Sequence, residues 1–495
     1  MMTVAYLANQ FPSPVEPYVM DEIEELRRRG VEIIAGSVRR PDGRVRLSFA
    51  MERESESVDT ETVVLQPVPI VLMVQAAWLC LRRWRRIADL LRRVILQGQE
   101  CFVQRGKALL HTWLGACYAL RLENRRRERI HAQHIQTQHI PVQHIHVQHI
   151  HVHHGYFGAW VAMVAARLLN VSYSMTLHGS DLLTGKAYLD AKLKNCRFCV
   201  TISEYNRRYI LEHYSMIEAG RVIVARLGVD VPEPGRFPAP EIRSSTPGLS
   251  TPRSSMVRPT MVREPELSHS DSRLHLLAVG RLHAVKDHAF LLRACVRLCQ
   301  RGLDFQCEIA GDGPERRNLE RLIQEYGLEE RVLLLGHVPR EQQDALYQRA
   351  DVVVLTSRSE GIPLVLMEAM ARGKIVVAPA ITGIPELVVQ ERTGFLYEPG
   401  SVEDFVTRVL WIYSLVSAGG SAGDFPAVSG ANQLNSDRLD HARLRAREQV
   451  RLHFNRKKNL ELFGAVFLER ISREQILLEQ ILPARQHSGA NRRTA

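Results

Sequence analysis

The stretch DVVVLTSRSEGIPLVLMEAMARG (residues 351–373) decides the fold of this chain. Asp351–Thr356 is an apolar run of the length of a buried strand, Ser357–Ile362 is a turn, and Pro363 falls at a first helical position, where its missing N–H costs nothing. The free N–H groups of Gly361, Ile362 and the first helical turn converge on one spot and give it the fractional positive charge that suits a phosphate. Glu360 stands at the mouth of that spot, and Glu368 lies about a turn and a half along the helix. Each carboxylate can accept hydrogen bonds from a different set of hydroxyls, one on a hexose and the other on a ribose. Two surface glutamates on a capped α/β helix would read the same way, so the neighbouring sequence has to decide.

Outward from this stretch lie VGRLHAVK (279–286), AGDGP (310–314), GIPE (383–386) and TGFL (393–396). In that order and spacing, Leu274–Pro399 resembles the nucleotide-binding domain of the retaining glycosyltransferases of family 4, of the exopolysaccharide and colanic-acid type. The resemblance implies an α/β chain of GT-B fold, with two Rossmann-like doubly wound parallel-sheet domains facing a central cleft. It assigns Arg281 and Lys286 to the phosphates, Glu360 to the sugar hydroxyls, Glu368 to the ribose, and Gly361, Ile362 and Pro363 to the lining of the sugar-diphosphate pocket. Spacing agrees for the cations, which follow the expected strand Leu274–Gly280 and could converge on a diphosphate in place of a metal. Two solvated cations in a basic protein are the other reading. Gly280, Gly311 and Gly313 would let the backbone run close to the nucleotide. Relatives commonly have glycine after the phosphate lysine; here Asp287 follows Lys286, and an acidic side chain there would weaken donor binding. Glu386 has no role that can be derived.

A chain of 495 residues exceeds one ordinary core, so two domains and linkers are expected. The expected divisions are a first domain at 1–230, a Pro/Ser/Thr-rich linker at 231–272, a nucleotide-sugar domain at 273–416, a Gly/Ala/Ser-rich disordered insertion at 417–437, and helices at 438–495 that return to the first domain. A 45% hydrophobic and 24% charged composition is that of a soluble globular protein. Eight cysteines without framework spacing and no N-terminal signal pattern point to the cytoplasm. Cys196 and Cys199 form the one C-x-x-C, with no second pair nearby to complete a zinc site.

The net charge is +11, and residues 80–130 carry 13 Lys/Arg against four Asp/Glu. No aromatic ladder or nucleic-acid module accompanies them, which argues against nucleic acid as a partner. Instead the run follows an apolar stretch, Ile70–Leu81, too short to span a bilayer, and Ile87, Leu90, Leu91, Val94 and Ile95 recur at helical spacing opposite arginines. Residues 68–97 therefore read either as a basic amphipathic segment on an anionic membrane surface or as core-facing helix with a solvated basic face.

Between Gln133 and Val152 the tripeptide Gln-His-Ile recurs four times at a five-residue period, and nine of the 20 histidines fall between His131 and His154. An odd period alternates faces on a strand and scatters histidines around a helix, so neither geometry gathers a fixed ligand set. The expectation is an expanded loop at 131–152 before a strand Ile145–His153, and no metal site.

Thr3–Ala8, Tyr18–Arg29 and Val31–Val38 read as a β-α-β unit. Val15-Glu16-Pro17-Tyr18 occupies the loop where many relatives carry Ser-Glu-Thr-Phe, so no catalytic role is assigned there. His178-Gly-Ser-Asp181 follows the expected strand Ser172–Leu177, at the strand end where a doubly wound sheet binds ligands. The resemblance gives His178 to the donor sugar and adds Asp181 to the donor site. The expected activity is hexosyl transfer from a UDP- or GDP-sugar to a glycan or polyprenyl-diphosphate-linked acceptor, with retention and without a metal or other cofactor. A phosphorylase or sugar-phosphate synthase of the same fold, or a non-catalytic scaffold binding metal or lipid, are the alternatives.

Overall fold

A computed structural model describes residues 2–13, 16–40, 62–97, 100–136, 147–233, 273–417 and 432–486. Most of the expected linker, the middle of the histidine repeat and most of the 417–437 insertion lie outside the described residues. The chain divides into two compact units, residues 1–227 with 456–495, and residues 228–455.

The first unit holds a seven-stranded parallel sheet: β1 (Thr3–Gln10), β2 (Glu32–Arg39), β3 (Val63–Val64), β4 (Val147–His153), β5 (Ser172–Leu177), β6 (Cys199–Thr201) and β7 (Val222–Val224). Their order in space is β3-β2-β1-β4-β5-β6-β7. The alternating side chains of β1 show why helices cover both faces: Ala5 and Leu7 join one apolar cluster, Val4, Tyr6 and Ala8 the other.

The second unit holds a six-stranded sheet, ordered β10-β9-β8-β11-β12-β13. Its strands are β8 (Leu274–Val279), β9 (Phe305–Ala310), β10 (Val332–Gly336), β11 (Val352–Val354), β12 (Ile375–Pro379) and β13 (Phe395–Tyr397), all parallel. Both sheets follow the doubly wound order in which the first and fourth strands lie side by side, and ligands bind beyond the carboxyl ends of that pair. In the second unit the pair is β8 and β11, the strands that precede Lys286 and Glu360. In the first it is β1 and β4, which end at Gln10 and His153.

One expectation needs correction. The C-terminal helices do not act as one block: Asn432–His453 packs on the helix Leu364–Ala371 of the second unit, and only Arg456–Gln486 packs on Pro17–Arg28 of the first. Of the two readings of residues 68–97, the core-facing one holds for Ile87, Leu90 and Val94, which are buried in the first unit's core. Among the described residues no helix is long and apolar enough to cross a membrane.

Candidate functional site

In the second unit three loops meet. Lys286 lies at the end of a short 3₁₀ turn after β8, and its Nζ sits 2.6 Å from Glu360 Oε1. Both side chains are mostly covered, 23% and 12% exposed, which strengthens the pair relative to a surface contact. Thr356 Oγ1 donates to the Lys286 carbonyl, and Arg358 N donates to the Val285 carbonyl, fastening the loop after β11 to the one after β8. Thr382 Oγ1 donates to the Glu360 carbonyl and brings in the loop after β12. Arg281 stands exposed at the start of the β8 loop. Ile362 and Pro363 are buried, so Ile362 can offer a ligand only its backbone N–H. The helix starts at Leu364, with Pro363 in extended conformation as its cap, one residue later than the sequence suggests.

Asp287 does not burden the lysine. Its φ of 47° is left-handed, a conformation glycine adopts freely, and its carboxylate is committed elsewhere. Oδ1 accepts from Phe290 N at 3.2 Å as the cap of the next helix, and Oδ2 pairs with Arg358 at 2.6 Å. Gly311 and Gly313 are each closely approached by the β8 loop's backbone. A Cβ on Gly311 would stand 1.9 Å from the Gly280 carbonyl oxygen, and one on Gly313 would stand 2.4 Å from that of Leu282. They let the β9 loop lie against the β8 loop. Glu368 Oε2 accepts from the Tyr347 hydroxyl at 2.8 Å, and burial followed by the Glu368 charge raises that phenol's pKa and keeps it a donor.

In the first unit the ends of β1, β4 and β5 carry a cluster that the sequence reading did not anticipate. His149, His151 and His153 are spaced by two, lie on one face of β4, and are all buried. The five-residue repeat hides this period of two. His149 bonds Ser172 and Ser174, and His151 bonds Ser174 and Thr176, forming an imidazole–hydroxyl ladder across β4 and β5. Burial, helped by the Arg197 charge, holds His149 at a pKa of about 3; burial, then the neighbouring imidazoles, holds His151 well below the usual range. Both are neutral hydrogen-bonding groups.

His153 continues the row. Its Nε2 lies 2.8 Å from Glu22 Oε2 and 2.8 Å from the Tyr6 hydroxyl, and its Nδ1 lies 3.0 Å from His178 Nε2. His154 carries the cluster's positive charge. Burial opposes protonation, but Asp181 and Glu16 outweigh it and raise the pKa to about 10. Its Nε2 is 2.9 Å from Glu16 Oε1 and its Nδ1 is 3.5 Å from Asp181 Oδ2. Tyr18 stacks obliquely on His178, with centroids 4.8 Å apart.

Asp181 is fully buried: Oδ1 accepts from the backbone N–H groups of His178 and Gly179, and Oδ2 from that of Gly155. It shapes the turn that presents His178 and offers no free oxygen to a sugar. Glu22, His151 and His153 place three potential metal-ligating atoms within 4.8 Å of one another, correcting the expectation that the histidines gather no such set. Hydrogen bonds engage both ring nitrogens of His151 and of His153 within the fold.

Residues 263–416 match the family model described as "Glycosyl transferases group 1". Over 190 residues the chain is 33% identical to WcaL of Escherichia coli, a protein assigned to glycosyl transfer in colanic acid biosynthesis, covering 37% of this chain and 42% of that one. It is 40% identical over 111 residues to the glycosyltransferase EpsF of Bacillus subtilis, covering 22% of this chain and 28% of the other. The chain thus spans less than half the length of these curated relatives. The fold of sucrose-phosphate synthase from Thermosynechococcus elongatus superposes with a TM-score of 0.60 at 17% identity, over 96% of this chain and all of that one. The group 1 match thus falls on the second unit, and the two doubly wound parallel sheets are those of a GT-B fold.

Proposed function

We propose that the protein transfers a hexose from a UDP- or GDP-sugar to a hydroxyl of a glycan or lipid-linked oligosaccharide, with retention, in the building of a surface polysaccharide. The observation that carries this reading is the Lys286–Glu360 pair at the strand ends of β8 and β11, where a doubly wound sheet takes a nucleotide. A lysine ammonium has three donors; Glu360 engages one and leaves two for diphosphate oxygens, with Arg281 and the N–H groups of Gly361 and Ile362 as further donors. Glu360 keeps its second oxygen for sugar hydroxyls, Glu368 binds the ribose, and His178 is the first unit's residue in the reaction. In the transfer the bond from the anomeric carbon to the phosphate oxygen breaks, a bond to the acceptor oxygen forms, and the leaving phosphate takes the acceptor's proton. Thermal melting with a panel of UDP-, GDP- and ADP-sugars tests the donor site: one class should raise Tm, and a flat response from all of them would remove the reading's support.

Peripheral attachment to an anionic bilayer is the second part of the proposal. The helix Ile70–Arg82 buries Leu72, Ala76 and Leu79 but leaves Ile70, Val74, Trp78 and Leu81 exposed, with Phe102 and Val103 beyond. Arg83, Arg86 and Arg93 are engaged with neighbouring groups, so the basic charge available to lipid comes from the exposed Arg82, Arg85 and Arg92. Aromatic and aliphatic side chains beside arginines fit a lipid interface. Flotation with phosphatidylglycerol vesicles should be lost in Val74→Glu/Trp78→Glu. Flotation unaffected by the substitutions, or their dissolving a dimer instead, would overturn it.

A further inference from the structure

Glu22 lies within the helix Pro17–Arg28 and is 4% exposed, where a carboxylate without partners would be strongly disfavoured. Its partners fix the order of protons along a chain of rings. The Tyr6 hydroxyl donates to Glu22 Oε2, and burial, followed by the Glu22 charge, keeps that phenol protonated. A carboxylate offers only lone pairs, and the Tyr6 oxygen, its proton spent on Glu22, does too. His153 Nε2, 2.8 Å from both, therefore carries a hydrogen. A neutral imidazole protonated on Nε2 has its lone pair on Nδ1, and that atom faces His178 Nε2 at 3.0 Å.

From this arrangement we infer that Glu22 and His153 are positioning residues that hold His178 in one tautomer, protonated on Nε2 and with Nδ1 ready to accept a hydrogen from a sugar hydroxyl. The inference rests on the reading of His178 as a residue of the transfer reaction. The groups around His178 support it. Burial, then the charge on His154, hold His178 neutral, and Asp181, which opposes this, is occupied by backbone N–H groups and His154. Tyr18 and His154 lie against the ring at centroid distances of 4.8 and 4.6 Å and limit its rotation. The relay joins β1, the helix after it, β4 and the turn after β5, so the tautomer at the ligand-binding end of the sheet is set from inside the fold.

Nitrogen NMR of the full-length protein labelled in its histidine rings, with His178 assigned by its loss in His178→Asn, reads this directly. Wild type should show His178 protonated on Nε2 alone. Glu22→Gln, whose amide can donate to His153 Nε2, should populate the Nδ1-protonated form, and His153→Phe should release the constraint altogether. In sugar transfer, Glu22→Gln should lower kcat by about tenfold or more with KM little changed. An unaltered His178 tautomer in both variants, or stoichiometric zinc lost on Glu22→Gln, overturns the inference. Should His178→Ala transfer sugar at the wild-type rate, the catalytic reading of His178 fails by itself, while the ring signals still report whether the relay exists.

Discussion

Lys286 and Glu360, 74 positions apart in sequence, meet at 2.6 Å where β8 and β11 end. The pair holds a cation and an acceptor side by side. Lys286→Ala should weaken binding of the matching nucleoside diphosphate about tenfold or more, or roughly 1.4 kcal/mol, as measured by calorimetry. Glu360→Gln should leave diphosphate affinity intact, since it frees the ammonium, yet depress turnover of the intact sugar donor. Equal loss in both measurements for Glu360→Gln would place Glu360 on the diphosphate side.

Glu368, bonded to Tyr347, is assigned to the ribose. Wild type should prefer a nucleoside diphosphate to its 2′-deoxy analogue, and Glu368→Ala should erase the difference at a cost of about 1–3 kcal/mol. A preference that survives the substitution would take Glu368 out of the site.

Gly311 has a φ of 149° and no room for a side-chain atom, since the Gly280 oxygen would lie 1.9 Å from a Cβ. Gly311→Ala should cost several kcal/mol in urea unfolding, while Gly302→Ala, with φ of 76° and open space around it, should cost about 1 kcal/mol. Similar losses at the two sites would mean that the β8 and β9 loops separate readily.

Stability should fall on acidification. His149 takes a proton at about 3 in the folded protein against an ordinary 6.5, so between those values the unfolded chain binds a proton that the folded chain refuses. Unfolded-state binding makes stability drop as pH falls below the ordinary value, by up to about 2 kcal/mol for one such histidine at about pH 5. His154 acts in the opposite direction: held at about 10, it contributes fully below pH 6.5 and loses its contribution as pH rises toward 10. Tm should therefore peak near neutrality, and His149→Gln should flatten the acid side. An unchanged acid slope in that variant would assign the loss to other groups.

The second unit's strand, turn and helix were legible in sequence because their signals are local. Residues 351–373 contain strand, turn and helix within one short stretch, and the positions of Lys286 and Glu360 follow from the strands they close. What stayed hidden depended on long-range contact. Glu22 reads as one more acidic residue of a charged helix, and nothing near it in sequence announces His153, 131 residues away. Histidines 149, 151 and 153 were masked by a repeat whose period of five drew attention from their spacing of two. The conformation at Asp287 was hidden too, because a cap and a left-handed φ are properties of the folded turn.

The helix Arg456–Gln486 sets Phe467 within 5.1 Å of the His151 ring and 5.6 Å of Phe198, by centroids. The first unit is thus assembled from segments on both sides of the second, which is translated in between. During synthesis its sheet has to wait, with His149, His151 and Phe198 still uncovered, until the helix Arg456–Gln486 leaves the ribosome. A chain cut after Asn455 would keep every residue assigned to the donor and to His178, yet leave that face open to water and to other chains.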